Sequence, residues 1–411
     1  MIEGSRMERT PIGEPDPLLG GVRAVKSGDF VFLSGHISPE EQGDITTFRS
    51  EAQTAAIFES TSATLEESGS SLAQVAKLQT FHRALDDFPP HLAARKRAFS
   101  LPLPPSTAVE APLSHPDAEV LVNAVAVTGA TQVETVEVDG VPKPLGPYSQ
   151  AVTAPPFVFL AGVLASDFQT GVAPEARVDP ALPYFGSPIK SQTRYVLDTI
   201  ARLLEGAGSS LGSVVRAQVI LTDISDFWGF EEVWQSYFPA DPPPRTVIEG
   251  GLVNPGCIVE VDVIALTHRS GLTREVVTSE AVPGSPLAES AAIRAGDWVL
   301  FGGRMATDYV TGLAPAARID PNFPRYETPV RRQGHHALDE VAALLEAAGS
   351  SLDRLANLWV FVDGGPAEFR GMRQVLAERF GDDPPAVTLT GTGGLIVPDC
   401  RVMIDGIALV G

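Results

Sequence analysis

Arg245 and Glu260 stand fifteen residues apart, one opening a strand pattern and the other inside the next strand pattern. A guanidinium is a planar fork that can hold a carboxylate through two parallel hydrogen bonds. A carboxylate beside an electrophilic carbon can orient a water and take its proton. Ahead of both lie Tyr148, in the stretch Gly146-Pro147-Tyr148-Ser149-Gln150-Ala151, and Gly162, near the end of the strand pattern Phe157–Leu164. The phenol could donate or accept a hydrogen bond, and a glycine lets its backbone approach a ligand closely. The competing reading makes Arg245 and Glu260 an interface salt bridge and Tyr148 a packing residue.

The elements that would hold these side chains repeat. Gly-Ser-Ser-Leu occurs at 69–72, 208–211 and 349–352, spaced by 139 and then 141 residues. A helical pattern precedes each: Ile57, Phe58, Thr61 and Leu65; Val196, Leu197, Ile200, Leu203 and Leu204; Leu338, Val341, Leu344 and Leu345. An alternating strand follows each: Val75–His82, Val214–Leu221 and Leu355–Val362. One module is written three times, over residues 7–130, 131–270 and 271–411. Each copy predicts strand, strand, helix, strand, helix, strand, strand. In the second copy these are Phe157–Leu164, helix Ser191–Gly206, Val214–Leu221, helix Phe227–Tyr237, Thr246–Gly250 and Ile258–Leu266. The glycine after each first helix is a stop signal. Strands with one apolar face need a covering layer of helices, so the class is an α+β sandwich. The joins at Gly129-Ala130-Thr131-Gln132 and Arg269-Ser270-Gly271-Leu272 are short, which predicts close packing of the copies.

Copies two and three share an insertion absent from copy one, Gly171 to Pro180 and Gly312 to Pro321, running on to Tyr184 and Tyr326. Proline with fixed aromatics predicts a packed loop covering sheet or helix; an active-site lid is the alternative.

Composition narrows the partners. The 411 residues suit three domains, and 44% apolar residues is globular. No run reaches the 18 or so apolar residues of a membrane span. A net charge of −21 repels nucleic acid and anionic membranes. Met1-Ile2-Glu3-Gly4-Ser5-Arg6 reads as a cloning scar, and no signal peptide follows. Cys257 and Cys400 fall in matching places and read as small buried hydrophobes, with a disulfide as the alternative. Seven scattered histidines without a cysteine pair argue against structural zinc. The expectation is a cytoplasmic protein acting on a small molecule without metal or cofactor.

Taken together, Gly146 to Ala151, Ala161-Gly162, Pro243-Pro244-Arg245-Thr246 and Val259-Glu260-Val261 resemble the YjgF/RidA reactive-intermediate deaminase family. The likeness covers all of copy two and, more weakly, the other copies. It implies a chorismate-mutase-like αβ fold assembling as a trimer with a cleft between neighbours. It also implies hydrolysis of imino or enamino acids to oxo acids and ammonia, without metal or organic cofactor. Three fused copies then resemble that trimer written as one chain, a monomer with pseudo-threefold symmetry, a weak further dimer being left open. On this resemblance Arg245, Glu260 and Tyr148 are the catalytic candidates, and Gly162, Glu231 and His36 the substrate-binding ones.

The departures are specific. Ala161 replaces a common serine, and Glu231 falls where the family has asparagine. Unit charges about 4 Å apart interact by about 4 kcal/mol at an effective dielectric near 20. Glu231 beside Arg245 would therefore compete with a substrate carboxylate and favour a neutral or cationic substrate. Copy one has Ser106 and Leu121 at the arginine and glutamate positions, and copy three has Ala386 and Met403. The tyrosine position holds Gly21 and Glu289. Ser34-Gly35-His36, Arg304 and the pair His335-His336 could face other clefts, His36 because it follows a strand-end glycine; a solvated or hydrogen-bonded histidine is the alternative. Three functions follow: an imine or enamine hydrolase using Arg245 and Glu260, a specialised biosynthetic hydrolase, lyase or cyclase at a diverged cleft, or a non-catalytic ligand-binding protein.

Overall fold

In the computed structural model of the chain, residues 7–41, 48–129, 131–144, 146 and 148–411 are described. The stretch Met1 to Arg6 that reads as a scar, Ala130 of the first join and Pro147 of the Gly146 stretch lie outside them. Each copy carries a long and a short helix: α1 Arg49–Glu67 and α2 Phe88–Ala98, α3 Pro188–Gly206 and α4 Phe227–Tyr237, α5 Pro329–Ala347 and α6 Pro366–Phe380. The central strands Val75–His82, Val214–Leu221 and Leu355–Val362 coincide with the sequence expectation. The helix expected from Ser191 starts at Pro188, because proline is at home in a first turn where its missing N–H has no partner to lose. The strand expected over Phe157–Leu164 breaks into Phe157–Leu160 and Val163–Leu164 around Gly162.

In every copy the central strand pairs antiparallel with the last strand and parallel with the one after the short helix. A parallel pair needs a crossover, and α2, α4 and α6 supply it. The central strands are buried along their whole length, so both faces are covered. In copy two, Ala217, Val219 and Leu221 pack into the core under α3 and α4, while Val215 and Ile220 enter a core shared by all three copies.

Gly-Ser-Ser-Leu proves to be a helix stop and an anchor. Gly69, Gly208 and Gly349 adopt φ of 78°, 70° and 75°, the left-handed conformation that glycine enters without penalty. The next serine then donates to a carbonyl of the last strand: Ser70 to Val127 at 2.6 Å, Ser209 to Leu266 at 2.7 Å and Ser350 to Leu409 at 2.5 Å.

Each copy touches the other two through equivalent residues. The rings of Phe30, Phe157 and Trp298 form a triangle with sides of 5.4, 5.5 and 5.5 Å. Elsewhere Gln79 bonds Gln218, and Trp359 Nε1 donates to Gln79 at 2.7 Å. Buried polar groups stitch the seams. Lys77 of copy one meets Asp262 of copy two at 2.5 Å, with Thr107 also donating to Asp262. Arg216 holds Asp405 of copy three at 2.9 and 3.0 Å, with Thr246 as the matching hydroxyl. At the seam of copies three and one Asn123 stands in the aspartate's place and donates to Thr388 at 2.9 Å. Strand Gly251–Leu252 of copy two also extends the copy-one sheet by pairing with Ser106–Glu110.

The inserted loops correct one expectation. Their bases pack, with Ala173 and Ala176 buried and Arg177 bonded to Val172 and Thr170. Their aromatic tips do not: Tyr184 is 99% exposed and Tyr326 88%. Cys257 and Cys400 are buried and unbridged, as small hydrophobes would be. Among the described residues no helix is long and apolar enough to cross a membrane.

If these seams close a pseudo-threefold ring, light scattering should give the mass of one chain at micromolar concentration. A trimer of chains would overturn the expectation.

Candidate active site

The strand register places one cleft at each seam. Glu260 lies opposite Ile220, Leu121 opposite Phe81 and Met403 opposite Phe361, so the three occupy one structural position. Each faces the strand-end glycine of its own copy: a Cβ at Gly162 would collide with the Glu260 carboxylate, at Gly35 with Leu121, and at Gly303 with Met403. The opposite wall comes from the preceding copy. Gly162 N–H donates to Ser106 at 3.2 Å, and Gly35 N–H donates to Val387 at 3.0 Å.

The cleft between copies one and two is open, with a volume of 440 Å³. Copy two supplies Tyr148, Gly162 and Glu260. Tyr148 is held by copy one: its segment bridges Leu103, and its ring packs on the core under α1 and α2. Copy one supplies Ser106 and Arg95. Arg95 is the eighth residue of α2, the place Trp234 holds in α4. It is 1% exposed, and its Nη1 donates to Ser106 Oγ at 2.7 Å and its Nη2 to the Pro104 carbonyl at 2.6 Å. Its Nε has no partner among the described residues. Burial lowers its pKa to about 10, which leaves it cationic at neutral pH.

Glu260 is equally buried. Desolvation, aided by the Asp262 charge and opposed by Lys77, raises its pKa to about 8. At pH 7 the carboxyl therefore carries a proton, and its Oε2 has no partner among the described residues. Burial also raises the Tyr148 pKa, with the Glu260 charge adding to the rise and Arg95 opposing it. Phe168 on the rim has φ of 58°, a conformation costly for a bulky residue and one that gathers at functional sites.

The cleft between copies two and three is sealed by charge. Arg245 pairs with Glu231 and, at 3.5 Å, with Glu289, and Phe227, Phe230 and Trp234 surround its guanidinium at 5.3–5.6 Å. Glu231 also accepts from Ala288 N–H at 2.7 Å. The chain of polar groups continues through Tyr309, which takes a hydrogen bond from Arg304 at 3.0 Å, to Glu340 and His336. The cleft between copies three and one is sealed by packing: Gly21 abuts the Pro385 carbonyl and Val387, while Leu121 lies against Gly35.

The structure thus does not bring Arg245 and Glu260 together. Arg245 pairs in register with Ala217, whose side is covered by α3 and α4, whereas Glu260 pairs with Ile220 on the face toward copy one. Fifteen residues of spacing put them on opposite faces of one sheet, serving different seams. Glu231 belongs with Arg245 and does not reach the open cleft. His36 sits at the third seam, its N–H bonded to Val122 at 2.8 Å and its ring to the Arg23 carbonyl at 3.2 Å. Burial lowers its pKa and so favours the neutral ring. Ser34 bonds Val22 and Val387, and His335 pairs with Glu378 at the surface. Sequence reading missed Arg95; a lone cation on the buried face of α2, where α4 has tryptophan, was its signal.

A family model described as endoribonuclease L-PSP matches the chain three times, over residues 12–128, 139–267 and 284–410. The chain belongs to this family. These are tandem YjgF/RidA-like copies. A RutC family protein of Pyrococcus horikoshii is 36% identical over 132 residues, 32% of this chain and 96% of that protein. The 3-aminoacrylate deaminase RutC of Acinetobacter baylyi is 33% identical over 132 residues, 32% of this chain and 96% of its own. A crystal structure of a chorismatase aligns over 82% of this chain and 93% of its own, with a TM-score of 0.52 and 16% identity, a likeness of fold alone. Within the YjgF/RidA family pattern, this chain splits the motif glutamate and the motif arginine between two seams.

Removing the Arg245 charge would leave Glu231 and Glu289 buried without a cation. Arg245→Met should lower unfolding stability by about 3–5 kcal/mol, measured by chemical denaturation. Adding Glu231→Gln and Glu289→Gln should restore most of it. A single variant as stable as the parent would mean that this ion pair does not close the seam.

Proposed function

We propose that the chain hydrolyses a reactive imine or enamine at the cleft between copies one and two, with Glu260 as both acid and base. The observation that carries this reading is a buried carboxyl, its pKa raised to about 8, in an open cleft whose two equivalents are filled by the described residues. Relatives named as reactive-intermediate and 3-aminoacrylate deaminases support the reaction class.

The carboxyl's proton passes to the enamine carbon, or to the imine nitrogen, and leaves an iminium. Water then adds to the C=N carbon and gives a proton to the Glu260 carboxylate. The Glu260 carboxyl then protonates the carbinolamine nitrogen, ammonia leaves, and the hydroxyl returns a proton to Glu260 as the carbonyl forms. The sum is one water consumed and one ammonia released, with Glu260 again an acid. Tyr148, close to both Glu260 and Arg95, lies where it could bond the nitrogen or the added oxygen. Gly162 leaves room for the Glu260 carboxyl, which any side chain there would displace. The cleft is one from which the strand arginine is absent, so a specialised substrate on the same chemistry is the form of this reading that the geometry favours.

Glu260→Gln keeps shape and removes the transferable proton. Turnover should fall by about 10²–10⁴-fold with ligand binding retained, measured as ammonia release from imines made in place by an amino-acid oxidase. An unchanged rate would sink the reading. In the parent protein the acid form is full well below the folded pKa, so activity should decline as pH rises through about 8. Stability follows the same sign. The folded state binds one more proton than the unfolded between 4.5 and about 8, so this group's contribution falls as pH rises through that window. Chelators should leave turnover intact; loss on chelation with recovery on adding zinc would contradict a metal-independent route.

A further inference from the structure

The open cleft differs from the sealed pair in charge as much as in volume. Its charged lining residues are Arg95, Lys96 and Glu260, with Lys96 exposed. Arg95 stays cationic, Glu260 holds its proton at neutral pH, and His82 and His91 near Arg95 are kept neutral by burial. In a chain of net charge −21 this is a local inversion of sign, and it attracts an anion. The donor geometry agrees. The bonds to Ser106 and Pro104 use two of the guanidinium's five N–H groups, and the buried Nε has no acceptor among the described residues. Arg95 lines the open cleft, and three of its N–H groups are left over from these two bonds for a ligand oxygen. Ser106, at the strand place where copy two carries its arginine, has become the residue that orients Arg95.

The rest of the wall is apolar: Phe88, Leu92 and Ala108 from copy one, Leu164, Phe168 and Val253 from copy two. A volume of 440 Å³ exceeds what a three-carbon acid fills and falls within the roughly 300–1,000 Å³ of pockets for larger ligands.

We propose, resting on the deaminase reading above, that this cleft takes a carboxylate-bearing imine or enamine with a bulky apolar substituent. Arg95 of copy one holds the carboxylate in place of a strand arginine. Phe88, Leu92, Phe168 and Val253 hold the substituent. The arginine thus enters the site from a helix of one copy while the acid enters from a strand of the next.

Titration calorimetry with stable product-like ligands tests this without turnover. Phenylpyruvate should bind the full chain at least ~10-fold tighter than pyruvate, because its ring buries apolar surface. Phenylpyruvamide, lacking the charge, should bind about 10–100-fold more weakly than the acid. In Arg95→Met that acid-over-amide preference should vanish. Should this variant fail to fold, Ser106→Ala, which keeps Arg95 but removes its orienting acceptor, should reduce the preference several-fold, and Leu92→Trp should weaken phenylpyruvate while sparing pyruvate. A preference for acid over amide that survives in Arg95→Met, or in Ser106→Ala at full strength, overturns the anchor. Equal affinity for pyruvate and phenylpyruvate overturns the wall. A chain that binds as expected yet releases no ammonia sinks the deaminase reading and leaves the ligand class standing.

Discussion

The Lys77–Asp262 pair ties the architecture of this protein to its chemistry. It crosses the seam between copies one and two with both partners almost completely buried. Two charges taken out of water are stable only while each sees the other, and removing one partner of such a pair costs about 3–5 kcal/mol. The seam must therefore stay closed for either group to be tolerated. The same aspartate lies two residues along the strand from Glu260 and adds to its rise in pKa, while Lys77 restrains that rise. A device that fastens two copies together also sets how firmly the candidate acid keeps its proton.

The three seams show how one template can be closed or kept open. At the position of Glu260, methionine and leucine fill the other two clefts. At the position of Tyr148, Glu289 turns toward Arg245 and joins a buried ion chain. The guanidinium that the sequence pattern reserves for substrate is spent on neutralising two carboxylates. An identical trimer would repeat each choice at every seam. Fusion lets a carboxyl, an ion pair and an apolar plug coexist in one chain.

Much of the fold was legible because its signals are local. The central strands and α4 fall where their apolar periods place them, and the glycine stops adopt the left-handed turn their positions demand. That Glu260, Gly162 and Tyr148 line one cleft was legible too, since all three belong to one copy and one motif set. Arg95 was not. It lines a cleft whose recognisable residues lie more than fifty positions downstream, and it stands on a helix face where its counterpart is tryptophan. Arg245 misled for the same reason: sequence spacing counts residues along a strand path but does not say which face of the sheet each side chain takes, nor which neighbour that face meets. The aromatic tips of the inserted loops failed differently. Composition registers an affinity for burial, and nothing in the loop itself states whether a partner surface lies within reach.

The order of the seams has a mechanical consequence. Short joins link copy one to two and copy two to three, so the two seams with buried ion pairs are also the tethered ones. The seam between copies three and one has no direct join. It carries neutral asparagine and threonine where the others carry charge, and it is latched by Arg9, which grips the Leu355 and Pro384 carbonyls and the Asp383 carboxylate near the start of the chain. Parting it breaks one ion pair whose carboxylate is already more than half exposed, whereas the pairs at the other two seams have both partners buried. The molecule is therefore built like a clasp whose free ends meet on the side away from the open cleft, so transient opening there leaves the arginine and the acid facing each other.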